Sequence, residues 1–78
     1  MNLAALFHAA ACQALDVTPG HGSMARVADT IGEHRQNYGA RVQGRMGISQ
    51  RCLAKWLAAF TLATGRRLVV SITEAPPT

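Results

Sequence analysis

The stretch Ser23-Met24-Ala25-Arg26-Val27-Ala28-Asp29-Thr30-Ile31-Gly32-Glu33-His34-Arg35-Gln36-Asn37-Tyr38-Gly39-Ala40-Arg41-Val42 decides how this chain folds. Met24, Val27, Ala28 and Ile31 recur at the three- and four-residue spacing of one helical face, and Ser23 stands ahead of them as a cap. Gly32 follows, where a left-handed residue closes a helix at no steric cost. Residues 33–42 then read as a second, polar helix with Tyr38 and Val42 facing inward. Gly39 lowers its intrinsic propensity by about 1 kcal/mol relative to Ala. Ala28, four residues before Gly32, is small enough to let the two helices cross closely. The expectation is two short helices, 24–31 and 33–42, meeting at a tight turn.

Working outward, Asn2 can cap a helix over residues 3–15, LAALFHAAACQAL. This stretch is apolar, but it has no basic leader and is too short to span a bilayer. It reads as an amphipathic helix rather than a membrane segment. Pro19, Gly20 and Gly22 break the chain before Ser23. On the other side, Gly44 and Gly47 mark a loop, and Ser49 caps a helix over Gln50–Thr64 that Gly65 stops. Arg66 and Arg67 lead into the β-branched run Leu68-Val69-Val70-Ser71-Ile72-Thr73, and residues 75–78 read as a frayed tail. A lone apolar strand would leave an aggregation-prone edge. Pairing through Leu68, Val69, Val70, Ser71 and Ile72 of two copies across a two-fold axis removes it, which predicts a homodimer. The expected fold class is mainly α: four short helices with a helix-turn-helix, and a C-terminal β-strand pairing across a dimer. One domain covers residues 1–74.

Composition agrees with a small domain. The chain has 78 residues, of which 49 % are hydrophobic, yet alanine supplies fourteen of these and aromatics only 5 % of the chain. The larger core members are expected to be Leu3, Leu6, Phe7, Leu15, Val27, Ile31, Val42, Leu53, Trp56, Leu57, Phe60 and Leu62. Such a length excludes barrel and dinucleotide-binding enzyme folds. Eight Lys+Arg against four Asp+Glu give a formal charge of +4, and all eight basic residues fall within 26–67. An arginine-rich middle segment points to a polyanionic partner, nucleic acid before membrane surface. The bland account of the same charge is solubility.

Cys12 and Cys52 sit on apolar helical patterns and read as buried free thiols, which suits a reducing, cytoplasmic setting. His8 and Cys12 stand four apart, but no second pair completes a metal site. No cofactor is expected. Nor does the sequence hold a nucleophile–base arrangement, paired carboxylates or a phosphate-cradling glycine loop. Adjacent Glu33 and His34 would point about 100° apart on a helix.

His34, Arg35, Gln36, Asn37 and Arg41 are residue types that bond base edges or phosphates. Arg26, Arg45, Arg51 and Lys55 are the accompanying candidates for backbone phosphates. With Val27, Ala28, Ile31 and Gly32, followed by Tyr38, Val42 and the exit Gly44-Arg45, the chain resembles the Cro/repressor-like (Xre-type) helix-turn-helix family. The run Ala63-Thr64-Gly65-Arg66-Arg67-Leu68-Val69-Val70-Ser71 resembles the tail of repressors and antitoxins of that kind. It departs from the family pattern at Met24, Glu33 and Arg41. The resemblance implies a phage, plasmid or antitoxin-type transcriptional repressor, not an enzyme, binding double-stranded DNA as a homodimer. A second start, Gly47 to Ala54, fails because Ala58 occupies its turn position and residues 59–67 are nearly all apolar. The alternative function is a protein-binding module that uses its basic face to occupy an acidic host protein or, in an antitoxin variant, also binds a toxin, with the apolar first helix as the surface for it.

Overall fold

Four helices follow one another in the computed structural model, which describes residues 2–20 and 22–68: α1 (Leu3–Leu15), α2 (Ser23–Ile31), α3 (Arg35–Val42) and α4 (Gln50–Thr64). The protein is mainly helical, with no strand among the described residues. Of the expected strand, Leu68 is irregular backbone packed partly buried against the core. Val69, Val70, Ser71 and Ile72, with the dimer contact assigned to them, lie outside the described residues.

Local chemistry explains the helix ends. Asn2 Oδ1 accepts from the backbone N–H groups of Ala4 and Ala5 at 3.1 and 3.3 Å, satisfying two orphan donors of α1. Its Nδ2 donates to the Val42 carbonyl at 2.7 Å, so one side chain starts α1 and ties it to the end of α3. Ser49 caps α4 through Cys52 N–H at 3.1 Å, and Gly65, at φ +71°, closes it. Gly32, at φ +71°, ends α2, with Glu33 N–H bonded back to the Ala28 carbonyl at 2.9 Å.

Two expected boundaries shift for identifiable reasons. Gly22, at φ +90°, takes the cap position of α2, and Ser23 is instead its first residue, with its hydroxyl turned inward. α3 begins at Arg35 rather than Glu33, because Glu33 and His34 form the connection and the Glu33 side chain is drawn to α4.

The core is an aromatic cluster framed by small residues. Phe7 of α1 lies at its centre, 5.3 Å from the Trp56 ring and edge-on to Tyr38 and Phe60 at 6.4 and 6.3 Å. Tyr38 and Trp56 are 4.9 Å apart. Ala4, Ala11, Cys12, Val27 and Ala28 complete the buried set, and the small ones allow α1 and α2 to approach the rings. Trimming one such ring to alanine costs about 3–5 kcal/mol, a large share of the stability of a small domain. Leu15, Ile31, Val42, Leu53 and Leu57 pack partly buried around this cluster. Leu6 and Leu62 do not join it: they are 37 % and 89 % exposed. Trp56 and Phe60 fix the inner face of α4, and Leu62, two residues on, is turned about 200° away. Ala4, Phe7, His8 and Ala11 likewise define the inner face of α1 and leave Leu6 at its edge.

Candidate functional site

α2 and α3 meet through the three-residue connection Gly32-Glu33-His34. The Glu33 carboxylate holds that connection with both of its oxygens. Glu33 Oε2 accepts from the Trp56 indole Nε1 at 3.0 Å, reaching across to α4. The other carboxylate oxygen accepts from His34 N–H at 3.0 Å. The hydrogen bond from Trp56 is the chief reason the Glu33 carboxyl is held below its ordinary range. Burial opposes this, while His34 N–H and the nearby charges of Lys55 and Arg41 reinforce it. Lys55 thus stands close to the turn.

Beyond this connection the first turn of α3 faces water. His34, Arg35, Gln36 and Asn37 are all exposed. The four expected phosphate contacts, Arg26, Arg45, Arg51 and Lys55, are exposed as well. Arg51 and Lys55, four residues apart, share a side of α4.

Arg35 is not free. Its Nε donates to Asp29 Oδ1 at 3.0 Å and its Nη2 to Asp29 Oδ2 at 2.6 Å, a two-pronged pair spanning α3 and α2. Both side chains stay open to water, 65 % and 55 % exposed. The pairing lowers the Asp29 pKa and raises that of Arg35, chiefly through these hydrogen bonds.

Arg41 departs from the expected exposed row. It is partly buried, its Nη1 donates to Cys52 Sγ at 2.9 Å, and its Nε is buried with no hydrogen-bond partner. Position 41 lies three residues after Tyr38, on the helical side that faces α4. The exposed polar surface therefore consists of the start of α3 and its basic flanks, not the whole of α3.

Behind the exposed turn lies a buried polar knot that sequence reading missed. His8, 7 % exposed, bonds through Nδ1 to Tyr38 Oη at 2.7 Å and through Nε2 to Ser23 Oγ at 3.1 Å. The Ser23 hydroxyl donates to the Gly20 carbonyl at 2.8 Å, so its oxygen is left to accept from His8. That assigns the neutral imidazole with its proton on Nε2, and Tyr38 as the donor to Nδ1. Burial lowers the His8 pKa and raises that of Tyr38, keeping the imidazole uncharged and the phenol protonated. Three helices are joined at this one ring. The Cys12 thiol, pushed up by burial, packs 3.4 Å from Nε2. Of the two residues spaced like metal ligands, His8 commits both ring nitrogens to Tyr38 and Ser23, and Cys12 packs against the same ring. The available signal was a lone histidine on an otherwise apolar face, which must find partners when buried.

An open cavity of about 740 Å³ adjoins this knot, lined in part by Pro19, Met24, Ala25, Arg35 and Gln43. Among the described residues no three His, Cys, Asp or Glu side chains gather as a metal site would need. No helix among them is long and apolar enough to cross a membrane.

The comparisons with known proteins add no relative: no family model, no curated protein and no solved structure matches the chain.

Proposed function

We propose that this protein is a sequence-specific DNA-binding repressor that acts as a homodimer, with α2, the connection at Gly32 and α3 serving as a helix-turn-helix. One observation carries the reading: a left-handed glycine turns the chain into a helix whose first residues, Arg35, Gln36 and Asn37, are polar and open to water. Arginine reads guanine with two bonds, and Asn or Gln reads adenine in the same way. His34 stands beside them. Arg26, Arg45, Arg51 and Lys55, all exposed, supply cations for the phosphates on either side. Arg41 makes no such contact, since its guanidinium faces Cys52. In this mechanism α3 enters the major groove, two copies read half-sites about one helical turn apart, and the bound dimer blocks transcription in the cytoplasm.

A mobility-shift assay on selected and random duplexes, at several salt concentrations, tests the reading. The expected result is preferential binding of one sequence and a steep loss of affinity with salt. Absence of any shift at low salt removes it. The competing function, binding a toxin or host protein, is favoured by Leu62, a large apolar side chain 89 % exposed on α4. The apolar side of α1 is not available for that task, because Ala4, Phe7 and Ala11 are consumed by the core.

A further inference from the structure

From the Asp29–Arg35 pair we infer that Arg35 reads a guanine, with Asp29 as the residue that positions it. This rests on the repressor reading and names the base class that α3 would select. The argument is one of unused donors. A guanidinium carries five N–H groups in a rigid plane. Asp29 takes the Nε–H and one Nη2–H, on one edge of that plane. The remaining edge, an Nη1–H beside the second Nη2–H, presents two parallel donors. These match the O6 and N7 acceptors of guanine in the major groove.

The same pair disfavours a phosphate. Asp29 neutralises the charge of Arg35, and its carboxylate would repel an anion placed against the guanidinium. A guanine edge carries no net charge, so it loses far less than a phosphate by that neutralisation and gains from a side chain already fixed in direction. Asp29 thus converts a mobile cation, able to settle on any phosphate, into an oriented fork. Arg26, Arg45, Arg51 and Lys55 show no carboxylate partner among the ion pairs of the described residues. They remain suited to phosphates.

The test selects preferred duplexes from a randomised pool with the full chain, then measures affinity for the winner. The duplex is made with guanine or with 7-deazaguanine, which lacks the N7 acceptor, at each guanine in turn. The expected result is one guanine per half-site whose substitution weakens the wild-type chain about tenfold or more and leaves Arg35→Ala unaffected. Asp29→Asn is expected to lose preference for that guanine while keeping affinity for random duplex. Its salt dependence should steepen by about one unit per chain, as the released arginine finds a phosphate. A change that merely loosened the fold would not produce that steepening. Both side chains are exposed, and helical circular dichroism verifies that each variant folds. A selected sequence whose guanines are all indifferent to Arg35→Ala overturns this inference and leaves the repressor reading standing. Failure to select any sequence overturns both.

Discussion

Replacing Tyr38 by Phe isolates one hydrogen bond in the buried knot. The variant keeps the ring and its contacts with Phe7, Trp56 and His8 at 6.4, 4.9 and 5.5 Å, and removes only the hydroxyl. That hydroxyl donates to His8 Nδ1 at 2.7 Å, and His8 is 7 % exposed, so its acceptor would be left without a partner. Leaving a buried acceptor unsatisfied costs about 1–3 kcal/mol, more than the net value of an ordinary hydrogen bond. For a domain of this size each kcal/mol corresponds to about 4–8 °C in Tm. Urea unfolding followed by circular dichroism, with an unchanged denaturant slope, gives the free energy directly. The partner variant His8→Leu completes a cycle: on that background Tyr38→Phe should cost much less, because the acceptor is already gone. Equal losses on both backgrounds, or a single-variant loss below about 0.5 kcal/mol, would refute the assignment of Tyr38 as the donor to His8.

Other outcomes follow from the same contacts. Burial lowers the His8 pKa below its ordinary 6.5, so the folded chain binds a proton less readily than the unfolded chain. Stability should be full above that pH and fall as pH drops toward the folded-state value, and His8→Gln should remove this dependence in urea titrations between pH 7.5 and 5. Gly32→Ala should cost about 1–2 kcal/mol in thermal melts, wholly from the backbone, because φ is +71° and nothing lies within 4 Å of an added Cβ. A larger loss would mean that the connection is packed more tightly than described. Asn2→Ala removes both the cap of α1 and the bond to Val42, and should cost about 1–2 kcal/mol, whereas Asn2→Asp should recover the cap alone.

Much of the fold was legible because helix ends obey local chemistry. Asn2, Gly32, Ser49 and Gly65 each do what their residue types favour, within three or four residues of where they stand. The errors came where identity alone was used. Leu62 is large and apolar, but helical phase turns it away from Phe60. Ser23 has the right chemistry for a cap, but His8 offers it a better-buried partner while Gly22 supplies the backbone turn. Arg41 was read as surface because it is charged, yet its phase relative to Tyr38 directs it to Cys52. The exposed start of α3 could be read from a run of polar residues after a glycine. The contacts that shape it could not: Asp29 to Arg35 crosses a turn, and Glu33 to Trp56 ties the connection to α4, so neither follows a helical period.

The bond between Trp56 and Glu33 makes the protein its own optical probe. This is the sole tryptophan of the chain, and its indole is anchored to the segment that aims α3. Any ligand that tilts that segment alters the polarity around the fluorophore, so emission reports movement of the Gly32–His34 connection without a dye or a tag.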